Sequence, residues 1–442
     1  MRLFILGGRV IDPGVRLKRP ADVVISDGCI ESVASANRSR VHPAPGDRVL
    51  DASDCIVMPG LWDLHVHLRE PGMEAAEDVA SGTLAAAAGG FTTIVCQPNT
   101  RPVLDNPDTL RRLMAVIEKK ASVRVVPAVA LSLGLRGGRL SRVAELARLG
   151  AGALSDDGRG TRDMRLLGRA LRAADEAGLP VMVHCEDHAL SHGGVMTAGA
   201  ISRRLGLPGI PAAAERLATE RALGALGRYG GRLHVQHVST RGALNAIRRA
   251  KAAGLPVTCE ATPHHLFLTS AAVGQSAGSC GPDANLKMNP PLRSARDVSA
   301  LRQGLADGSI DAVATDHAPH TSQAKQRGFM EAPFGVTGLE TALALVLRLV
   351  EEKVIGLGRA VELLSSGPAG IMGGEGGSLR PGAPADVTVV DPSARHEVSK
   401  SMMHSRSSNT PFLGWKLRGR VRWTIVGGRV VWESKKMGGR RF

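Results

Sequence analysis

From residue 60 to residue 320 the chain alternates short apolar, β-branched runs with longer segments of helical pattern. Thr92 to Cys96, Val123 to Pro127, Val181 to His184, Leu233 to His237, Pro256 to Cys259 and Ala312 to Thr315 read as strands. Residues 163–178 and 241–253, rich in Ala and Arg, have helical character, and the second closes at Gly254. Such alternation predicts an α/β fold with a parallel sheet, and its repetition favours a closed (β/α)8 TIM barrel. An open doubly wound sheet is the competing architecture, but no G-x-G-x-x-G follows a first strand to support it.

The two ends of the chain echo each other. Phe4 to Ile11 and Pro20 to Ile25 near the start resemble Pro384 to Val390 and Thr424 to Val431 near the end, all β-branched and punctuated by Gly and Pro. The expectation is a small β-sandwich domain formed by the N- and C-terminal segments, residues 1–57 and 376–442, flanking a barrel over 58–375.

Composition narrows the class. An apolar fraction of 43% suits a globular core, and no run is long enough for a membrane helix. Asp12-Pro13 interrupts the opening apolar segment, so a secretory signal is not expected and a cytoplasmic location is. The six cysteines (Cys29, Cys55, Cys96, Cys185, Cys259, Cys280) form no C-x-x-C pair, which fits reduced thiols. A formal charge of +15 raises nucleic-acid binding. Aromatics at 3% supply few stacking platforms, and the basic residues are scattered, with only short clusters such as Lys435-Lys436 and Arg440-Arg441. The reading is compositional bias on a solvated surface, with a positive field that draws in small anions as the weaker alternative, and no nucleic-acid or membrane partner is expected.

Polar residues of one chemical kind then recur where strands end. His65 and His67 are two apart on an apolar run, so period-two alternation puts both imidazoles on one face. Asp156 and Asp157 follow Ala151 to Leu154, His184 closes Val181 to Val183, His237 closes Leu233 to Gln236, and Asp316 follows Ala312 to Thr315. Barrel enzymes keep their sites at the carboxyl ends of strands. Imidazole and carboxylate without thiolate suit Zn2+ or a similar ion in an open, catalytic site. Four histidines and two carboxylates exceed one tetrahedral ion and match a bridged pair. Which of Asp156 and Asp157 takes part stays open at this level.

Further motifs carry a resemblance over nearly the whole length. They are Asp63-Leu64-His65-Val66-His67-Leu68-Arg69-Glu70-Pro71-Gly72, Gln97-Pro98-Asn99-Thr100, His184-Cys185-Glu186-Asp187, His237-Val238-Ser239-Thr240, Thr262-Pro263-His264-His265, Lys287 to Arg293, Ala314 to His320, Ala332-Pro333-Phe334-Gly335 and Asn409-Thr410-Pro411-Phe412. Together they resemble the dihydroorotases of the amidohydrolase superfamily, in the class whose bridging ligand is Asp instead of a carbamylated Lys.

The resemblance implies two Zn2+ per subunit, one alone being able to suffice. His65, His67, Asp157 and Asp316 would hold one, and His184, His237 and the bridging Asp157 the other. It places substrate contacts on His67, Arg69, Asn99, Asn289, His320, Phe334 and Gly335, and gives His264, His265, Asp63 and His317 supporting roles. It implies reversible cyclisation of N-carbamoyl-L-aspartate to L-dihydroorotate in pyrimidine (UMP) biosynthesis, with a metal-bound hydroxide in the hydrolytic direction and Asp316 as general base and then acid. A homo-oligomer and a possible aspartate transcarbamoylase partner also follow. The alternatives are a hydantoinase- or allantoinase-like cyclic amidase, whose bridge is a carbamylated Lys, and a non-catalytic scaffold for the transcarbamoylase. Leu149 to Met164 contains no Lys, against the first, and the ligand set is intact, against the second.

Overall fold

The computed structural model describes residues 2–14, 20–36, 42–278 and 281–434. Cys280 and the basic pairs of the tail therefore lie outside the described residues; the other five cysteines are unpaired. Eight parallel strands stand side by side in chain order: Leu61–Val66, Phe91–Cys96, Arg124–Ala130, Ala153–Ser155, Val181–Val183, Leu233–Val235, Val257–Ala261 and Ala312–Val313. The eighth returns to the first through backbone bonds at the top of the ring, His67 N to His317 O at 2.8 Å and His317 N to His65 O at 3.2 Å. The (β/α)8 expectation therefore holds, with closure made by the two segments that carry His65, His67 and Asp316.

Leu64, Val95, Ala128, Ala153, Met182, Ala312 and Ala314 come from six strands into one buried cluster. A cluster fed from so many directions is the inside of the ring, where four alanines leave room for the larger Leu64, Val95 and Met182. Helices form the outer layer. Met164–Glu176 starts where Asp163 accepts from Arg165 N, and its apolar stripe of Leu166, Leu167, Ala170, Leu171 and Ala174 is buried against the barrel. Arg241–Ala252 starts on Thr240, whose side chain accepts from Ala243 N.

The termini build a second sheet of eight strands. Its path runs Arg429–Glu433, Lys416–Val426, Val387–Glu397, Ile56–Pro59, Leu3–Val10, Ala21–Ser26 and Cys29–Ser35, with Arg48–Asp51 added beside Leu3–Val10. Ile5, Val23, Ile30, Val57, Val387, Val389 and Ile425 share its core. N- and C-terminal strands meet at the pairing of Ile56–Pro59 with Val387–Glu397, one residue before the first barrel strand. No helix among the described residues is long and apolar enough to cross a membrane.

Candidate metal centre and active site

Six polar side chains converge at the carboxyl ends of the strands, all of them buried: His65, His67, Asp157, His184, His237 and Asp316. Asp157 Oδ1 lies 3.4 Å from His65 Nε2, 3.6 Å from His184 Nδ1 and 3.7 Å from His237 Nε2, and its Oδ2 lies 3.6 Å from His67 Nε2. Asp316 Oδ1 is 3.2 Å from His67 Nε2 and 3.5 Å from His65 Nε2. His184 Nδ1 faces His237 Nε2 at 2.9 Å. Two groupings bring all their donor atoms within 4.8 Å of one another, His65 with His67 and Asp316, and His65 with Asp157 and His237.

The outward ring nitrogens decide which atoms face inward. His65 Nδ1 is 3.1 Å from Glu260 Oε1, His67 Nδ1 is 2.9 Å from Asn99 Oδ1, and His184 Nε2 is 2.9 Å from Glu186 Oε2. Each oxygen takes the proton of the outer nitrogen and leaves the inner one with its lone pair free, the arrangement that metal-binding histidines adopt. His65 Nε2 is buried with no hydrogen-bond partner in the protein. A tetrahedral ion with bonds of ~2.0–2.1 Å needs donor atoms ~3.3 Å apart. The observed spacings of 3.2 to 3.7 Å between carboxylate and imidazole atoms fit that demand.

Electrostatics point the same way. Burial would raise Asp157, but His65, His184 and His237 hold it well below the ordinary carboxylate range. Burial likewise opposes ionisation of Asp316, and His65 and His67 outweigh it. For His65, burial pushes the pKa down and the Asp316 and Asp157 carboxylates drive it far up. Without an ion, protons on the imidazoles balance the two carboxylates; a divalent ion would take the place of those protons on the same atoms. Asp156, by contrast, turns away. It accepts from His184 N at 2.9 Å, and burial raises its carboxyl.

Around this floor lies a rim borne by connecting segments. Arg69 is buried, its Nε donates to Pro319 O at 3.2 Å, and no carboxylate pairs with it among the described residues. Burial lowers its guanidinium to about 10. His320 Nε2 lies 2.7 Å from Phe334 O and 3.3 Å from Arg69 Nη2. The shorter contact assigns the proton to Nε2, so Arg69 keeps that N–H group for another acceptor. Burial, and then Arg69, holds His320 neutral at about 3. Asn289 Nδ2 donates to Glu186 Oε2 at 2.8 Å. Asn99, grouped with the substrate contacts in sequence, lies against the floor. Its Oδ1 holds His67, and its Nδ2 donates to Asp157 Oδ2 at 3.0 Å. Gly335 spends its N–H on Lys287 O at 3.0 Å and its carbonyl on Lys325 and Asn409. At φ 127°, with a hypothetical Cβ 2.6 Å from Ala318 Cβ, only glycine fits there. A cavity of about 700 Å3 is lined by Gly158, Arg159, Glu186, His188, Asn289 and Phe334 among others.

Of the residues given supporting roles, Asp63, His317 and His265 have hydrogen-bond partners beside the site, whereas His264 Nε2 is buried without one. Asp63 accepts from His65 N and Thr315 N, both at 3.0 Å. His317 Nε2 is 3.2 Å from Glu77 Oε2, and His265 Nε2 is 2.9 Å from Pro290 O. Gln97 links three strands, donating to Leu64 O at 3.1 Å and accepting from Ser155 Oγ at 2.8 Å. Glu260 and Glu186 were not anticipated. Glu260 bridges His65 and His234 from the seventh strand, and an acid inside an otherwise apolar strand was the available signal. Seven non-glycine residues among those described have positive φ, and three are Arg69, His237 and Asp316. Strain gathered there marks a site held by its surroundings.

Comparison with known proteins agrees with this architecture. The Dihydro-orotase-like family model matches residues 54–243. A protein named dihydroorotase from Geobacter metallireducens is 46% identical, the match covering 98% of this chain and 100% of the relative. One of the same name from Anaeromyxobacter sp. is 49% identical over 98% of each chain. Among solved structures, the L-hydantoinase (dihydropyrimidinase) of Arthrobacter aurescens superposes with a TM-score of 0.84 at 25% identity, covering 98% of this chain and 96% of that one. Barrel, terminal sheet, ligand cluster and full-length identity together establish that the chain belongs to the dihydroorotase family.

Proposed function

We propose that the protein is a dihydroorotase that interconverts N-carbamoyl-L-aspartate and L-dihydroorotate with two zinc ions. The observation that carries the reading is the buried Arg69 guanidinium, unpaired with any described carboxylate, on the rim of a histidine–aspartate cluster. A buried cation in want of an anion, beside groups that would hold a hydrolytic metal, suits a cyclic amide bearing a carboxylate. A simple hydantoin carries no such group.

His65, His67, Asp157 and Asp316 would hold one ion, and His184, His237 and Asp157 the other. Bound there, zinc would supply Lewis acidity toward the ring carbonyl and lower the pKa of water. Arg69 pairs its planar fork with the substrate carboxylate. His320, neutral and fixed by Phe334 O, and the Phe334-Gly335 turn wall the ring, while Asn289 borders it from the side of His184. In hydrolysis the ring C–N amide bond breaks. The water oxygen becomes part of the new carboxylate, and Asp316 carries the water proton to the departing nitrogen. Cyclisation retraces these steps and releases water. The complete ligand set supports an active enzyme over a scaffold, and Asp157, standing where a hydantoinase would carry its lysine bridge, supports this substrate.

A substrate panel with the purified protein tests the reading. Dihydroorotate should be hydrolysed, activity should vanish with a chelator, and zinc should restore it. Turnover of hydantoin alone would overturn the assignment, and inactivity on dihydroorotate, allantoin and hydantoin with zinc present would favour the scaffold.

A further inference from the structure

Two ammonium groups are buried behind the rim with no carboxylate paired to either among the described residues. Lys287 is 3% exposed and Lys325, the last residue of the short helix Ser322–Lys325, is 6% exposed. Lys325 Nζ donates to Gly335 O at 2.9 Å, Pro333 O at 3.1 Å and Lys287 O at 3.3 Å. Three carbonyls take its entire donor set. Lys287 Nζ donates to Met330 O at 2.8 Å and sits 4.7 Å from the centre of the Phe334 ring.

Burying a charge without a counter-ion is costly, and an apolar side chain would fill the same space more cheaply. What the ammonium supplies is convergence. The three carbonyl oxygens would repel one another without a shared donor, and they belong to the two segments that border the substrate. One is the turn Pro333-Phe334-Gly335, whose Phe334 carbonyl fixes His320 beside Arg69. The other is Lys287, two residues before Asn289.

Resting on the dihydroorotase reading, we infer that Lys325 is a positioning residue for substrate binding: its ammonium gathers these two segments and so sets Phe334 and His320 against the Arg69 pocket. Its effect is on the fit of the ring and carboxylate, not on proton transfer at Asp316.

The charge is also tuned. Burial, with a further push from Lys287, lowers Lys325 to about 7, and Asp283 opposes that push. Burial brings Lys287 itself to about 8. His320, which feels Lys325, is neutral throughout this range. Below its pKa Lys325 carries three N–H donors; above it, two and a lone pair that faces carbonyl oxygen. Loss of that proton takes one donor from the three carbonyls, so the turn should loosen as pH rises through the neutral range.

The test is dihydroorotate hydrolysis by wild type and Lys325→Met, with zinc content measured for both. The variant should keep its zinc and show a KM raised about tenfold with kcat within about threefold. Wild-type KM should climb as pH rises through the neutral range, in which burial places the lowered Lys325, and the variant should lack that climb. A zinc-loaded variant with wild-type KM, or with its loss confined to kcat, overturns the inference. Should that variant fail to fold, Lys325→Gln decides, since its amide leaves two N–H donors for three carbonyls: zinc-loaded with a wild-type KM, it overturns the inference equally. Wild type inactive on dihydroorotate removes the proposed function and this inference with it, an outcome distinct from an active wild type beside an indifferent variant.

Discussion

Six side chains on the floor of the site leave from the carboxyl ends of five barrel strands, whereas Arg69, Asn289, His320, Phe334 and Gly335 on the rim leave from connecting segments. On the floor, three of the four imidazoles are set by a short bond from the outer ring nitrogen to a neighbouring side chain, as Glu260 sets His65, Asn99 sets His67 and Glu186 sets His184. On the rim, atoms are set by backbone carbonyls, by a glycine with φ 127° and by a buried lysine. Strand geometry repeats every two residues and is written in the apolar pattern. Loop geometry is the outcome of long-range contacts such as Asn409 with Gly335 and with His320 N. One half of the site is thus anchored locally and the other by the fold as a whole.

The sharpest break between the halves should come from Asp157→Asn. Replacing this acceptor among four imidazoles should cost ~10³-fold or more in kcat, with zinc lost on dialysis. Its neighbour is the control. The Asp156 side chain accepts from the His184 backbone, an amide oxygen can still accept that bond, and Asp156→Asn should cost about tenfold or less. Equal losses in both variants would dissolve the distinction between floor and support.

Glu260→Gln should come next. The carboxylate serves His65, His234 and the His237 backbone, so zinc affinity should fall ~10–100-fold in a chelator competition while kcat at saturating zinc holds. Its pH signature has a definite sign. Burial would raise Glu260, yet His234 and His65 lower it from 4.5 to about 2. A depressed carboxyl stabilises the fold fully above its unfolded pKa and loses that contribution as pH falls through its folded one. The Tm advantage of wild type over Glu260→Gln should therefore be full above pH 4.5 and shrink toward pH 2.

The same contrast explains what could be read from the chain alone. The strand at Val181–Val183 and its terminal His184 were legible because apolar runs and the residues that end them are local facts. Asp157 could be told from Asp156 only through family resemblance, since both are buried and nothing in the stretch Ala153 to Gly160 says which carboxylate faces inward. Lys325 was invisible for a different reason. A lysine in a short polar segment looks solvated, and only the return of the 333–335 turn buries it. Closure of the barrel through His317 and His65, residues 252 apart, is equally beyond any local pattern.

On the rim, Arg69→Lys should raise KM for dihydroorotate ~10–30-fold with zinc content unchanged, because an ammonium cannot pair both oxygens of a carboxylate. Loss of zinc in that variant would mean that rim and floor are not separable.

Asn99 gives the smallest effect and the finest test. Sequence groups it with the substrate contacts, yet its amide oxygen is 2.9 Å from His67 Nδ1 and its amide nitrogen 3.0 Å from Asp157 Oδ2. Both polar atoms are thus committed to the floor. Asn99→Ala should then weaken zinc binding about three- to tenfold, since two ligands lose a bond that orients them. KM measured with zinc in excess should stay near wild type. A raised KM at full zinc occupancy would instead mean that the amide lets go of His67 or Asp157 to reach the substrate. In that event the boundary between floor and rim passes through a single side chain that changes partners when the ring arrives.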